Sequence, residues 1–331
     1  MNILVTGGAG YIGSKVVRNL LDQNHKVTVI DKMIFGDVGI KDLVNRISYL
    51  EVIDIRDLNP SHASLFETQD AVIHLAAIAN DPMGKLHPEV TDQVNVYGTS
   101  NVFTLAKMCG VKKFIYASSA SVYGFNEDVV TEESPLNPQS LYAQSKIDAE
   151  NELHRLNSDN KTELLILRQG TVSGLSLRMR YDLIINAMVR TVMRHQRVVI
   201  YGDDNTSRPI VSIDDLVNIY DKFLAGEIPS GTYNTTGFNA KVLEVATEIS
   251  KMFNVPAFYG LTNTDSRSYK MNCDKLNKVL GDYKFQTMAE IANSVKNGFE
   301  SHPDNATTQS IDWIKGLEYV YPYSKYWRSV L

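Results

Sequence analysis

Only two cysteines, Cys109 and Cys273, stand in 331 residues. Two are too few for a disulfide framework or a cysteine-built zinc site, and they point to a reducing, cytoplasmic setting. Long apolar runs are also missing. The longest, residues 71–79, falls far short of the roughly 20 residues a spanning helix needs, and His74 interrupts it. No membrane association is expected. The chain opens directly on the strand-like Asn2-Ile3-Leu4-Val5, without the basic and apolar regions of a secretory signal. Neither sign of charge is in large excess: 33 Lys and Arg against 38 Asp and Glu leave −5, which offers nucleic acid no general attraction. No segment recurs at the roughly 20–50-residue period of a solenoid. With 44% apolar and 21% charged residues, disordered, collagen-like and coiled-coil chains are excluded.

Buried strands are predicted at residues 3–6, 26–30, 47–52, 71–75, 113–117 and 164–167. They are rich in Val, Ile and Leu with little alternation, as a sheet covered on both faces requires. Helical segments fall between them, at 12–23, 90–109 and 141–156. This alternation predicts an α/β protein with a Rossmann-like doubly wound parallel sheet over residues 1–170. A smaller C-terminal lobe is expected over 171–300, with helices at 182–194, 214–224, 241–253 and 288–298 and short strands near 197–201 and 232–234. The chain is free to cross between the lobes. Residues 301–331 form a tail crowded with aromatics, including Trp313 and Trp327. It packs on its own subunit or on another, because aromatics are enriched at interfaces.

Thr6-Gly7-Gly8-Ala9-Gly10-Tyr11-Ile12-Gly13 joins the first strand to the first helix. Glycine lets a backbone turn sharply and approach a pyrophosphate, and the helix N-terminus offers that anion free amides and a positive dipole end. Gly7, Gly10, Tyr11, Ile12 and Gly13 are therefore cofactor-binding candidates. Asp31 ends the second strand, where an acid holds the adenosine ribose hydroxyls of NAD and repels the 2′-phosphate of NADP. Lys32 beside it leaves NADP open. Asp54, followed by Ile55, reaches the adenine amino group or caps its own turn. Ala76-Ala77-Ile78-Ala79 ends the fourth strand with small side chains, as a backbone passing close to a cofactor needs, and Leu75, Ala76 and Ala77 are cofactor-binding candidates.

Tyr142 and Lys146 lie four residues apart on a predicted helix and share one face. A phenol with its ordinary pKa near 10 is a poor base at neutral pH, and a cation alongside favours the phenolate. A poised Tyr142 can then exchange a proton with a sugar hydroxyl while a hydride moves. Ser119, at the carboxyl end of the fifth strand, supplies a hydrogen bond to the reacting oxygen or caps the strand.

These residues together resemble the extended short-chain dehydrogenase/reductase family, in its NAD-dependent nucleotide-sugar epimerase/dehydratase branch. The resemblance covers residues 1–300. It rests on Thr6 to Gly13, Asp31, Asp54, His74-Leu75-Ala76-Ala77, Asn95, Ser119, Tyr142 and Lys146, and less sharply on Arg168, the run Arg208 to Leu216, and Arg267-Ser268-Tyr269. It implies NAD as cofactor, with Asn95 in its site and Lys146 on its nicotinamide ribose, and a nucleotide-diphosphate sugar as substrate. Ser119, Ser121, Thr171, Arg180, Asn186, Arg208 and Arg267 are the implied substrate-binding residues, the last two suiting a diphosphate. A homodimer pairing the helix after Val90 with the Tyr142 helix is implied as well.

The sequence departs from several branches of that family. The Asp-Glu pair of sugar 4,6-dehydratases is replaced by Ala120 and Ser121, and the cysteine of 3,5-epimerases by Ser121. Thr171 and Ser173 replace a usual Asn and Tyr. The run Arg178 to Asp182 is rich in donors and reads the nucleotide or an atypical sugar, or else starts a helix. The leading expectation is an NAD-dependent nucleotide-diphosphate-sugar 4-epimerase. The alternatives are a 4-ketosugar reductase or 4-dehydrogenase with exchangeable NAD(P), and a non-catalytic dinucleotide-binding protein.

Overall fold

The computed structural model describes residues 1–79, 87–200, 202–260 and 268–301. Its centre is a seven-stranded parallel sheet of order β11-β7-β5-β4-β1-β2-β3, made of β1 (Asn2–Thr6), β2 (Lys26–Asp31), β3 (Tyr49–Val52), β4 (Ala71–His74), β5 (Lys113–Ser119), β7 (Glu163–Gln169) and β11 (Gly231–Thr235). The predicted Rossmann-like fold class is therefore the observed one. Successive side chains of a strand point to opposite faces, and here both faces are apolar. Ile3, Val5, Val29, Ile73, Ile115 and Leu165 enter one core, while Leu4, Ile30, Val72, Phe114 and Ile166 enter the other. This explains why the strand sequences show no polar alternation.

Helix α1 (Tyr11–Asp22) covers the first face with Val16, Val17, Leu20 and Leu21. On the second face lie α2 (Pro88–Asp92), a π-helical turn (Gln93–Gly98), α3 (Thr99–Met108) and α4 (Leu141–Leu156). The predicted helix over 90–109 is thus one helical run broken by a wide turn. Inside that turn the Asn95 side chain reaches out of the helix to the Ile78 backbone. Ser140 caps α4, its hydroxyl accepting from Ala143 N at 3.1 Å, and so sets where the Tyr142 helix begins.

Beyond residue 170 the chain forms β8 (Thr171–Ser173), α5 (Ile184–His195), β9 (Val198–Ile200), β10 (Ser207–Ser212), α6 (Ile213–Leu224), β12 (Phe238–Lys241), α7 (Val242–Phe253), β13 (Ala257–Tyr259), β14 (Lys270–Met271), α8 (Asp274–Leu280) and α9 (Met288–Ser301). β12, β10 and β8 make a small sheet, β13 pairs with β9, and β14 pairs with β6 (Val129–Val130). β11 returns to the main sheet and pairs with β7. The predicted helices are present, with α5 starting at Ile184 rather than Asp182; the short strands predicted near 197–201 and 232–234 are β9 and β11, while β6, β8, β10, β12, β13 and β14 are additional. The aromatic tail lies outside the described residues.

Candidate active site

Strand order reverses between β1 and β4, so the crevice at their carboxyl ends is where a doubly wound sheet binds ligands. A cavity of about 960 Å³ opens there, walled by the ends of β1, β2, β4 and β5, by the start of α4 and by residues beyond β7. All the predicted site residues except Asn95, Asn186 and Arg267 border it. Arg267 lies outside the described residues.

The turn after β1 folds tightly on itself. Gly7 has φ +71°, and a Cβ there would stand 2.7 Å from Ala76 N. A Cβ on Gly13 would stand 2.0 Å from the Gly7 carbonyl oxygen. No side chain caps the N-terminus of α1 at Gly10, so the cradle keeps its backbone donors for an anion. The loop after β4 is held against this turn by a buried relay. His74 Nε2 contacts Thr99 Oγ1 at 2.9 Å, and that hydroxyl donates onward to Asn95 O at 2.7 Å. His74 Nδ1 lies 2.7 Å from Thr6 Oγ1, which accepts from Ala76 N at 3.3 Å. Burial and the nearby Lys146 cation press the His74 pKa down to about 3, so the ring is neutral and structural.

Asp31 accepts from Ala9 N at 2.9 Å and from Met33 N at 2.8 Å. Burial raises its carboxyl above the ordinary range. Asp54 is bound by four donors. Oδ1 accepts from Arg56 N at 2.9 Å and Nε at 3.0 Å, and Oδ2 from Lys32 Nζ and an Arg56 terminal nitrogen, each at 2.8 Å. Burial opposes ionisation, but the Arg56 and Lys32 hydrogen bonds outweigh it and pull the carboxyl down to about 2. An ionised carboxylate has about four lone-pair sites. All are taken, which favours the turn-holding reading of Asp54 over the adenine reading.

Lys146 is buried on α4 at 4% exposure. Its ammonium donates to Ala117 O at 2.9 Å and stands 4.9 Å from the Tyr116 ring centre and 5.9 Å from that of Tyr142. Burial lowers its pKa to about 8, with the Glu150 carboxylate resisting. Ser119 Oγ accepts from Ser121 N at 3.2 Å and from Ser121 Oγ at 2.9 Å, so it caps the turn after β5 while bordering the cavity. Arg180 is gripped by Asp182, Nε to Oδ1 at 3.1 Å and NH2 to Oδ2 at 2.5 Å, and donates to Ala79 O at 3.3 Å. Burial works against its charge, but Asp182 more than restores it, and the cation couples to Tyr142. Thr171 opens β8, and Arg208 on β10 donates to Ser207 O at 3.0 Å.

Two predicted site residues are turned away from the cavity. Asn95 does not reach the cavity. Its side chain is spent on Ile78 N, Ile78 O and Ser145 Oγ, which fasten the β4 loop to α4. Asn186 is fully buried, accepting from Gly174 N and donating to Tyr11 OH and Arg180 O. Tyr11 in turn donates to Gly174 O at 2.8 Å. Asn186 and the Tyr11 hydroxyl therefore join α1, the bend after β8 and α5 rather than face the cavity. One unit was not anticipated: buried Glu150 accepts from Ser118 Oγ and from the Arg168 guanidinium, whose NH2 lies 2.8 Å away. Its i, i+4 spacing from Lys146 was the available signal.

A parallel sheet with this cradle at its switch point defines a dinucleotide-binding protein. The model of the NAD dependent epimerase/dehydratase family matches residues 3–235, and the chain belongs to that family. It is 32% identical over 217 residues to a putative UDP-glucose 4-epimerase of Methanocaldococcus jannaschii, spanning 65% of this chain and 70% of that protein. It is 27% identical over 338 residues to a UDP-glucose 4-epimerase of Halalkalibacterium halodurans, spanning 94% and 99%. Among solved structures it is similar to a UDP-glucuronic acid 4-epimerase of Bacillus cereus in complex with UDP-glucuronic acid and NAD, with a TM-score of 0.79 at 25% identity over 91% of this chain and 99% of that one. No helix among the described residues is long and apolar enough to cross a membrane.

Proposed function

We propose that the protein is an NAD-dependent nucleotide-diphosphate-sugar 4-epimerase. The observation that carries this reading is the convergence of Tyr142, Lys146 and Ser119 on the same cavity as the glycine cradle, with no carboxylate at positions 120 and 121 to remove water. The glycine turn, its crowded Cβ positions and Asp31 suit a dinucleotide; when bound, NAD supplies a hydride acceptor that can return the hydride. Tyr142 removes the proton from the C4 hydroxyl of the sugar and later gives it back. Lys146, held beside the Tyr142 ring, favours the phenolate. Ser119 steadies the C4 oxygen. Arg208 offers its guanidinium to the substrate diphosphate, while Thr171, Ser121 and Arg180 border the space for the sugar. Turnover of the 4-keto sugar within the cavity would expose its other face, and reduction there would invert C4 while Tyr142 returns the proton to the C4 oxygen.

The test is incubation with UDP-, GDP-, CDP- and dTDP-sugars, with products read by NMR. The expected result is a C4-inverted sugar without net reduction of NAD. Accumulating NADH would indicate a dehydrogenase, and a dehydrated 4-keto product a dehydratase; either rejects the reading. Tyr142→Phe should lower the rate at least about 100-fold while NAD is retained.

A further inference from the structure

Lys32 is the first residue after the sheet end that carries Asp31, and both border the cavity. A cation at this position is the ordinary means of holding the 2′-phosphate that distinguishes NADP from NAD. Yet Lys32 Nζ lies 2.8 Å from Asp54 Oδ2, with the two side chains only 16% and 5% exposed. Arg56 is held by the same carboxylate and donates to Gln93 Oε1 at 3.1 Å. Asp54 has no lone-pair site left for another donor. From this we infer that Asp54 sets cofactor selectivity by keeping Lys32 away from the adenosine ribose, so that Asp31 faces the 2′ position without that cation beside it.

The division of labour is electrostatic. Asp31 holds its place through two backbone amides, Ala9 N and Met33 N, and neither is a cation. The cation that favours its ionised form is Arg178, whose guanidinium lies 3.9 Å from the Phe35 ring centre. Lys32, next to Asp31 in the chain, is the cation placed to hold a 2′-phosphate there, and Asp54 holds it in a charge-assisted hydrogen bond. The inference rests on the family's use of NAD and not on which sugar is turned over, so it stands or falls independently of the epimerase reading.

The experiment equilibrates the purified protein with an equimolar excess of NAD and NADP, releases the bound nucleotide and quantifies both by chromatography. Asp54→Asn removes the anion that holds Lys32, and the bound NADP-to-NAD ratio should rise at least about tenfold. Both nucleotides carry the same adenine, so any loss of adenine contacts cancels in the ratio. Adding Lys32→Met to Asp54→Asn should abolish most of the rise. Lys32→Met alone should leave the ratio within about twofold of the parent, and this arm does not depend on the folding of the Asp54 variant. A ratio unchanged in Asp54→Asn, a rise that persists in the double variant, or a fall in NADP binding in Lys32→Met alone would each overturn the inference.

Discussion

Replacing Lys146 with Met should make the protein inactive and, at neutral pH, slightly more stable. Lys146 keeps its charge in a place that disfavours it: burial lowers its pKa from the ordinary 10.5 to about 8. At about 1.36 kcal/mol per pKa unit, holding that cation in the fold at pH 7 costs about 3 kcal/mol. Methionine keeps an unbranched stem and removes the charge. Against this gain stand the lost hydrogen bond to Ala117 O, about 1 kcal/mol, and the lost cation–π contact with Tyr116, also about 1 kcal/mol. The net expectation is a gain of about 1 kcal/mol, which raises Tm by about 1–2 °C in a chain of this length.

The pH dependence is the sharper test. Below pH 8 the folded and the unfolded parent both hold the Lys146 proton, and the fold bears the full cost. Between pH 8 and 10.5 the folded chain releases that proton while the unfolded chain keeps it, so the parent gains stability as pH rises. By pH 10 this gain reaches about 2.5 kcal/mol, and the variant's advantage becomes a deficit. Calorimetry of nucleotide-free parent and variant at pH 7 and pH 10 should show the Tm difference change sign, a swing of about 3–4 °C. A difference that stays constant across this range would refute the argument that Lys146 is held charged against its surroundings.

Two further outcomes are expected. Glu150→Gln strands the Arg168 cation among Tyr123 OH and Glu132 O, and should cost about 3–5 kcal/mol by chemical denaturation; a second change, Arg168→Met, should recover much of it. The protein should be a homodimer in which α2, α3 and α4 of two copies pair, with Tyr97 and Met108, 58% and 62% exposed, as apolar surface available for the contact. Light scattering should report twice the chain mass, and a monomer at micromolar concentration would contradict it.

The proposed proton-transfer pair and the cradle were legible because their logic is local. Tyr142 and Lys146 share a helix face by spacing alone, and Gly7 to Gly13 must turn because a strand precedes them and a helix follows. The strand and helix order was legible for the same reason: each strand's unbroken apolar run announced a sheet covered on both sides, and residues 3–6, 26–30 and 113–117 all entered it. Asn95 and Asn186 looked like ligands of the site because sequence names a polar side chain without saying which way it points. In the fold both turn inward, where unmet amide groups would be costly, and bind backbone of the β4 loop and of the bend after β8.

What only the tertiary structure decided are pairings between residues far apart in the chain. β11, some 60 residues beyond β7, closes the sheet beside it, because an edge strand needs a partner ladder that local sequence does not specify. Lys32 meets Asp54 across neighbouring strands β2 and β3, and Arg168 meets Glu150 between β7 and α4. These ion pairs exist because the sheet brings opposite charges together out of water, where each would otherwise remain unpaired. The residues and their local geometry came from the sequence; which charge each one faces, and therefore what it is free to bind, was decided by the packing of the sheet.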